Sequence, residues 1–482
     1  MKLTFPDYVV TVMKLLEAQG FEAYVVGGAV RDMLLGRTPE DYDIVTNARP
    51  DEIKLAAGRS GLDVIGTLGQ NFGVVNLKLG RHTVEVASYR NETYGSDAHR
   101  PAEVWYCERL EDDLGRRDFT INAMAADRSG RIIDCFDGMN DLRERVLRTV
   151  GNAQKRFQED ALRMFRACRF IAQLGFTPHE GILPAIEANL DRVSGLSLER
   201  VRSELNKLLC GAWAGQGMDL MVKSHLAAQS CRIKAHGAYV PVPILPELEA
   251  LVGVPQNPAF HPYDVWTHTA VALNKTDRQL ATGWAVLLHD IGKGREGVRT
   301  YNEEGLPHDN GHEKVGAVMA RTIMERLRLP EPLTDRVAWL VRSHMHFGFA
   351  SALEDEATWR WLRKEARSGH FRLNKEMAEA FKQLTAVCVA DVAATAATRS
   401  DVIHAQMYGE RLIRMAYLMP VHTSDLNING RQLLEMGVPQ DQLSRILPLF
   451  LQRIQDRTLK NDPEELRKTV RHILERQEKR KS

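Results

Sequence analysis

The seven residues EDYDIVT (40–46) carry two aspartates, Asp41 and Asp43, at the start of an apolar stretch. A buried strand takes up like charges only at a cost in free energy, so this pair needs an explanation. If the segment is a strand, side chains alternate between its faces, and both carboxylates lie on one face about 7 Å apart. Hard cations prefer oxygen ligands, and two carboxylates at this spacing can bind one pair of Mg²⁺ ions. The segment therefore predicts a metal site at Asp41 and Asp43; the alternative is two surface aspartates in a turn.

The upstream sequence VVGGAVRD (25–32) favours the metal site. It reads as a strand that enters Gly27 and Gly28 and continues as a helix, and such a turn lets backbone N–H groups approach phosphate. Arg31 can add a guanidinium fork to phosphate oxygens. A glycine pair before a helix is weak alone, but followed by the two aspartates it indicates a triphosphate cradle. Glu85, in TVEVASYR, is either a third carboxylate or an exposed strand residue.

Composition sets outer limits on function. Among 482 residues, 64 Lys and Arg balance 63 Asp and Glu, so nucleic-acid binding would have to come from local patches. The six cysteines show no CxxC spacing, which argues against a zinc knuckle and for a reducing, cytoplasmic setting. No apolar run approaches the roughly 20 residues of a membrane span, and the first residues lack the pattern of an export signal.

The pattern of apolar residues predicts an α+β head with a mixed sheet, followed by a mostly α-helical remainder. The first part alternates short strands with helices, whereas apolar residues after about 150 recur at three- and four-residue spacing. The predicted domains are a head (1–150), a neck (151–237), a Pro-rich linker (238–263), a histidine-bearing helical domain (264–400) and a C-terminal body and tail (401–482). No motif is recognised in 171–255.

Three motifs resemble the polymerase-beta-like nucleotidyltransferases, and more narrowly the bacterial branch that contains CCA-adding tRNA nucleotidyltransferases and poly(A) polymerases. They are GGAVRDMLLG with DYDIVT, RRDFTINAMA (116–125) and EDALRMFRACRF (159–170). The resemblance implies a two-metal mechanism with Mg²⁺, in which Asp41 and Asp43 are catalytic and an RNA 3′-hydroxyl attacks the α-phosphorus while pyrophosphate leaves.

Carried over position by position, the resemblance assigns a set of nucleotide contacts. Gly27, Gly28 and Arg31 would hold the triphosphate, and Arg117 and Asp118 of RRD would contact the phosphate and ribose. For RRD alone, a solvated charge cluster is the alternative.

Base recognition is expected in the neck. Asp160 and Arg163 are three residues apart on a predicted helix and would share a face. An aspartate can accept from the exocyclic amine of cytosine or adenine, and an arginine can donate to the adjacent ring nitrogen, so this pair would admit C and A and reject U and G. Arg166 would support it through phosphate or Asp160. Without the family resemblance, an ordinary helix salt bridge is the alternative.

Histidines and aspartates of the second half resemble the metal ligands of the HD phosphohydrolases. That match implies His268, His289, Asp290 and Asp391 as ligands of a divalent metal, since imidazole and carboxylate suit first-row ions. His312 and His344 would hold a second metal, and Lys293 would contact phosphate. A degenerate domain kept as a scaffold is the alternative; an active one would hydrolyse a phosphate ester, with a 2′,3′-cyclic RNA end as the hypothesis.

The sequence favours CCA addition to tRNA from CTP and ATP. A long polar segment between Arg90 and Asp113 occupies the place of the family's loop that helps to switch from C to A. From 464 to 482, seven Lys or Arg accompany four Glu, and a basic helix there would bind the tRNA backbone. The alternatives are an A-only-adding enzyme, a poly(A) polymerase, a phosphohydrolase whose head merely binds RNA, and a non-catalytic RNA-binding module in which both sites are inert. No membrane partner is expected, and no oligomeric state is indicated.

Overall fold

The computed structural model describes residues 2–65, 73–94, 101–235, 237–350 and 355–478. The chain divides into two compact units, Met1–Ala250 and Leu251–Ser482. Of the helices in the described ranges, none is both long and apolar enough to cross a bilayer.

The first unit combines a mixed sheet with helices, which confirms the predicted α+β head. Its helices are α1 (Asp7–Glu17), α2 (Gly28–Leu34), α3 (Pro50–Arg59), α4 (Leu110–Gly115), α5 (Gly138–Glu144), α6 (Ala153–Glu159), α7 (Leu162–Leu174), α8 (Ile182–Glu187), α9 (Leu198–Leu209) and α10 (Ala214–Lys223). Its strands are β1 (Tyr24–Val26), β2 (Asp43–Thr46), β3 (Asp63–Val64), β4 (Val74–Leu79), β5 (His82–Ser88), β6 (Arg90–Tyr94), β7 (Pro101–Tyr106), β8 (Met124–Ala126), β9 (Ile132–Asp134), β10 (Val146–Leu147), β11 (Thr177–Pro178), β12 (Ser230–Ala235) and β13 (Ala238–Pro243).

The main sheet has the strand order β3-β4-β5-β2-β1-β8-β9. Strands β2 and β5 run parallel, whereas β1 is antiparallel to both β2 and β8. The central strands are apolar on both faces, with Val25, Val26 and Ile44 fully buried, as expected for strands covered on both sides. This sheet brings the end of β1 beside the start of β2.

The neck is built around the amphipathic helix α7, which packs against α9 and α10. Gly217 allows the close approach of α10, because a Cβ there would lie 2.4 Å from the carbonyl oxygen of Cys168. Inside this bundle Arg169 Nε forms a 2.6 Å ion pair with Glu204. The stretch 238–263, predicted as a linker, begins with β13, which pairs antiparallel with β12, and continues into a 3-10 helix at Pro246–Leu251.

The second unit is mostly helical, as predicted. Its helices are α11 (Val265–Leu273), α12 (Leu280–Leu288), α13 (His312–Arg326), α14 (Glu331–Ala350), α15 (Asp355–Ala366), α16 (Asn374–Val392), α17 (Arg399–Leu418), α18 (Gly430–Glu435), α19 (Leu443–Gln455) and α20 (Pro463–Glu478), and its strands are β14 (Thr300–Tyr301) and β15 (Pro307–His308). Helix α12 is apolar all round and packs against α11, α14 and α16, so it is the buried centre of this unit. A separate apolar cluster around Phe450 and Leu466 holds α18 to α20 together.

Candidate active site and metal centre

Three carboxylates gather where β2 begins. Asp43 pairs with Val26 of β1 on one side and with Glu85 of β5 on the other. Burial, together with the negative charges of Glu85 and Asp41, raises the pKa of Asp43 to about 6, against the opposing effect of Arg117. Asp41 is exposed and precedes the strand, which begins at Asp43, so the premise that both aspartates lie on one face of the same strand is wrong. The sheet nevertheless concentrates negative charge that a divalent cation would offset.

The turn beside these carboxylates has the features of an open cradle. Gly27 adopts φ 70° and ψ −130°, which L side chains rarely adopt. A Cβ on Gly27 would lie 3.0 Å from Arg117 Nη1, so the missing side chain lets that guanidinium approach the backbone. Arg31 donates to Asn122 Oδ1 at 2.7 Å and forms a forked contact with Asp32, at 2.9 Å from Nε and 3.0 Å from Nη2. Two guanidinium groups therefore flank the Gly27–Gly28 turn.

The RRD motif folds into a buried ion-pair network. Asp118 accepts from Phe119 N at 2.8 Å and from Asn122 Nδ2 at 3.1 Å through Oδ1, and from Arg166 Nε at 2.7 Å through Oδ2. Although burial opposes ionisation, Arg166 and Asn122 hold the pKa of Asp118 well below its usual range. Arg166 thus contacts Asp118, where the sequence predicted phosphate or Asp160 as its partner. Both oxygens of Asp118 are engaged by protein groups.

A second buried carboxylate, Asp113, fixes the two arginines of RRD. Arg116 Nη2 lies 2.7 Å from Asp113 Oδ1, and Arg117 Nη2 lies 3.2 Å from Asp113 Oδ2. Asp113 is fully buried, and the charges of Arg116 and Arg117 outweigh that burial and lower its pKa. The alternative considered for RRD, a solvated charge cluster, does not describe this arrangement.

The neck residues predicted to read the base do not lie on one helix. Helix α6 ends at Glu159, Asp160 is extended at φ −138°, and α7 begins at Leu162. Asp160 Oδ1 accepts from Leu162 N at 3.0 Å, so its side chain turns the backbone between the helices. The predicted helix face shared by Asp160 and Arg163 is therefore wrong. Burial raises the pKa of Asp160, while the positive charges of Arg163 and Arg200 oppose this rise. These two cations therefore lie near the Asp160 carboxylate.

Arg163 is held by partners that the sequence did not single out. It donates to Glu159 Oε2 at 2.9 Å, to the Arg156 carbonyl at 3.2 Å and to the Arg116 carbonyl at 2.9 Å. Glu159 is the last residue of α6 and Arg163 lies in α7, so this ion pair bridges the break between the two helices. The contact to the Arg116 carbonyl ties α7 to the RRD segment.

In the second unit, six side chains converge on one buried centre. His268 Nε2 lies 3.0 Å from Asp391 Oδ1 and 3.3 Å from His289 Nε2. Asp290 reaches both sides, since its Oδ2 lies 3.3 Å from His289 Nε2 and its Oδ1 lies 3.2 Å from His312 Nε2. The ligand atoms form two groups that share Asp290: His268, His289, Asp290 and Asp290, His312, His344.

The histidines are oriented to present Nε2 to the centre. In each of His289, His312 and His344, Nδ1 lies 2.6 to 2.7 Å from a carbonyl oxygen three residues upstream. A carbonyl contact at Nδ1 is the usual outer-shell support of a metal-binding imidazole, because it fixes the tautomer and the ring. The predicted second group, His312 and His344, therefore has the same support as the first.

The charge balance of this centre also fits a cation. Although burial opposes it, the carboxylates of Asp290 and Asp391 raise the pKa of His289 to about 10. Burial lowers the pKa of His344 to about 3, and the positive charges of His289 and His312 act in the same direction. Asp290 Oδ2 is buried without a hydrogen bond of acceptable geometry among the described residues, with Lys293 Nζ 2.8 Å away. The donor set of imidazole nitrogen and carboxylate oxygen suits first-row divalent ions.

Two further predictions concern segments outside these two sites. The segment between Arg90 and Asp113, predicted as the switching loop, contains strands β6 and β7, which pair antiparallel. Residues 95–100 of this segment lie outside the described ranges. Helix α20 exposes Arg467, Lys468 and Arg471. Its binding to tRNA stays a prediction.

Three family models match the chain. Residues 23–148 match the "Poly A polymerase head domain", residues 175–231 match the "Probable RNA and SrmB- binding site of polymerase A", and residues 259–395 match the "HD domain". The second match covers part of the region in which no motif was recognised.

The curated relatives are named CCA-adding enzyme. The protein of Lactobacillus delbrueckii subsp. bulgaricus is 47% identical over 200 residues, which are 42% of this chain and 49% of that protein. The protein of Enterococcus faecalis is 38% identical over 269 residues, which are 56% of this chain and 63% of that protein. The matched part of the chain thus spans about half the length of the first relative and 63% of the length of the second.

A solved structure matches over nearly the whole chain. The CCA-adding enzyme of Bacillus stearothermophilus in complex with CTP is 25% identical, with a TM-score of 0.62 and coverage of 98% of both chains. The chain therefore matches the poly(A) polymerase head-domain model over residues 23–148 and the HD-domain model over residues 259–395, and its reported relatives are named CCA-adding enzyme.

Proposed function

We propose that this chain is a cytoplasmic tRNA nucleotidyltransferase that adds C, C and A to the 3′ end of tRNA from CTP and ATP. The observation that carries the proposal is the carboxylate cluster of Asp41, Asp43 and Glu85 beside the Gly27–Gly28 turn. The relatives' names and the resemblance to a CTP-bound structure support the choice of substrate.

Asp41 and Asp43, with Glu85 as a third ligand, would hold Mg²⁺. When bound, this ion supplies charge for the triphosphate and lowers the pKa of the attacking 3′-hydroxyl. The chain's own groups position the nucleotide: Arg31 and Arg117 flank the glycine turn and would bind phosphate oxygens through planar donor forks. Because Asp113 fixes Arg117, that guanidinium is oriented before the nucleotide arrives.

Base choice would rest on Asp160 and Arg163 at the junction of α6 and α7. Asp160 would accept from the exocyclic amine shared by cytosine and adenine, and Arg163 would donate to the adjacent ring nitrogen. Glu159 and two backbone carbonyls hold Arg163 in place, and Arg166 is fixed by Asp118. Asp118 would therefore act by positioning Arg166. A direct contact of Asp118 with the ribose is also part of the proposal.

The test is incorporation of single nucleotides into tRNA transcripts that end at the discriminator base or at CC. The proposal expects C from CTP on the first transcript and a single A from ATP on the second, with loss of both in Asp43→Ala. Incorporation of A without C would support the A-only alternative. Repeated addition of A to generic RNA would support a poly(A) polymerase.

A second activity is proposed for the HD-family domain, because six oriented ligands converge there. It would hydrolyse a phosphate ester such as a 2′,3′-cyclic end, with Lys293 contacting phosphate. Release of 2′- or 3′-AMP from 2′,3′-cyclic AMP by the full chain, lost in Asp290→Ala with nucleotide transfer intact, is the expected result. Absence of hydrolysis with Mg²⁺, Mn²⁺, Co²⁺ or Ni²⁺ would leave the domain as a scaffold.

A further inference from the structure

The helix pair α13 and α14 has a second charged face away from the metal ligands. His312 Nε2 lies 3.3 Å from His344 Nε2, and Arg321 Nη2 lies 2.6 Å from Asp335 Oδ1, so two contacts fix the antiparallel register of the helices. In that register Lys314 lies opposite Arg342, because Lys314 follows His312 by two residues and Arg342 precedes His344 by two residues on the antiparallel helix.

Helical geometry places these two cations on the back of the pair. Two residues along an α-helix rotate a side chain by about 200°, so Lys314 and Arg342 point away from the metal centre. Seven residues rotate it by about 700°, which is nearly two full turns, so Lys314 lies on the same face as Arg321 about 10 Å along the axis. Arg342 stands in the same relation to Asp335.

This back face lines a groove of about 1210 Å³. The turn 368–372 and Glu376 complete the groove. It exceeds the roughly 300–1,000 Å³ typical of a site for one small ligand, so an elongated ligand fits it better.

Charge is sorted along the groove. At the end where α13 meets α14, Arg321 is neutralised by Asp335 at 2.6 Å and by Glu325 at 3.7 Å. At the other end Lys314 and Arg342 are exposed, and neither has a carboxylate within ion-pair distance among the residues that the structure describes. Two like charges in register without a counter-ion repel each other, which a bound anion would relieve.

A third cation, Arg336, lines the groove next to Asp335 and about 9 Å along α14 from Arg342. Arg336 is partly buried, donates to Gln383 Oε1 at 2.8 Å and lies 6.0 Å above the ring of Phe371. Burial lowers its pKa, while Glu376 and Glu379 act on it only beyond ion-pair distance. A guanidinium presents planar donors that match phosphate oxygens.

From this sorted charge we propose that the groove behind α13 and α14 binds the phosphodiester backbone of RNA through Lys314, Arg342 and Arg336. It is an RNA contact separate from both the nucleotide cradle and the metal centre, and it rests on the proposed function only in the choice of RNA over other polyanions. Such contacts supply affinity and salt dependence without reading the bases.

The test compares two double variants of the full chain. Lys314→Ala/Arg342→Ala removes the two unpaired cations, whereas Arg128→Ala/Lys382→Ala removes the same net charge from two cations outside the groove that already have carboxylate partners. Affinity for a labelled tRNA transcript lacking CCA is measured by fluorescence anisotropy between about 50 and 200 mM KCl, a range in which phosphate contacts are salt-sensitive.

The proposal expects the first variant to bind more weakly at low salt, with a log–log salt slope shallower by about 1.4 to 1.8, and the control to keep the wild-type slope. Equal slopes in all three proteins would overturn it, as would equal loss in both variants. Competition by polyglutamate as effective as by poly(U) would assign the groove to an acidic polypeptide and overturn the RNA proposal. Nucleotide incorporation by the wild-type protein is measured in parallel. If wild type incorporates no nucleotide but the Lys314→Ala/Arg342→Ala variant has the shallower salt slope, the proposed function is overturned and RNA binding by the groove is supported.

Discussion

Asp43 and Glu85 are direct neighbours in the parallel pairing of β2 and β5, on strands separated by about forty residues of sequence. The pairing places a second carboxylate beside the first, and the charge of Glu85 is the main electrostatic cause of the raised pKa of Asp43 after burial. Like charges at this position are costly without a cation, so the pair is better explained as a metal site than as a surface feature.

Replacing Glu85 with glutamine tests that relationship. The variant keeps the shape and removes one charge from a proposed Mg²⁺ ligand, so we expect nucleotide transfer to fall by at least about 10–100-fold, the loss typical of outer-shell groups of metal sites, and the Mg²⁺ concentration for half-maximal rate to rise. Rates measured across a Mg²⁺ titration check this. The matched control is Asp63→Asn, which changes an exposed acid on β3. An unchanged Mg²⁺ requirement would make Glu85 an ordinary strand residue.

The raised pKa of Asp43 predicts a pH-dependent stability of the metal-free protein. The pKa is about 6 when folded and about 3.9 when unfolded. Between these values the folded protein binds more protons, so the free energy of unfolding falls as pH rises and the penalty is complete above pH 6. With EDTA at pH 7, Asp43→Asn should therefore be more stable than wild type by about 1–2 kcal/mol after discounting for solvent screening.

Urea unfolding at pH 4 and pH 7 measures this difference. At pH 4 the gain from Asp43→Asn should vanish, because wild-type Asp43 is then protonated in the folded protein. Adding Mg²⁺ at pH 7 should stabilise wild type more than the variant. A variant less stable than wild type in EDTA at pH 7 would contradict the assigned burial and charge of Asp43.

Local signals in the sequence were enough to single out the glycine turn and Asp43, and the resemblance to the HD phosphohydrolases singled out the histidines and aspartates that converge in the second unit. Gly27 and Asp43 lie in short motifs whose backbone requirement is visible in the residue types. The contacts that fix the site are not local: Asp118 and Arg166 are far apart in sequence, and their contact depends on how α7 packs. The break at Asp160 had a local signal, since aspartate often caps a turn, but the apolar periodicity on both sides favoured one continuous helix.

Asn122 joins the cradle to the neck, because its amide accepts from Arg31 and donates to Asp118. Asn122→Ala leaves the buried Asp118 and the half-buried Arg31 each short of a partner, so we expect a loss of about 1–3 kcal/mol in the free energy of unfolding and a higher KM for both CTP and ATP. Thr120→Ser, in the same 3-10 turn, keeps its hydroxyl contact to Asp141 and serves as control. If Asn122→Ala leaves the KM values for CTP and ATP unchanged, Asn122 supports the fold of the turn but not nucleotide binding.

Arg163 and its anchor Glu159 should give different selectivity phenotypes. Arg163→Ala removes the proposed contact to the base, so discrimination against UTP should weaken by about 1–3 kcal/mol, the value of a good bidentate base contact. Glu159→Gln keeps Arg163 and weakens only its orientation, so kcat/KM should fall for CTP and ATP together with discrimination against UTP retained. Single-turnover incorporation of CTP, ATP and UTP measures both. Equal discrimination in wild type and Arg163→Ala would remove Arg163 from base recognition.

The two candidate ligand groups in the second unit share only Asp290, so the proposed metal ions can be removed separately. Wild type should bind two divalent ions in the second unit, His344→Ala should lose the one that His312 also binds, and Asp290→Ala should lose both because its carboxylate serves each group. Calorimetric titration with Mn²⁺ or Co²⁺ in an Asp43→Asn background, which weakens the head site, counts the ions. His308→Ala changes an exposed histidine of β15 and should bind as wild type does. If Asp290→Ala and His344→Ala lose the same single ion, the centre is mononuclear, and His268, His289 and Asp391 do not form a separate ligand group.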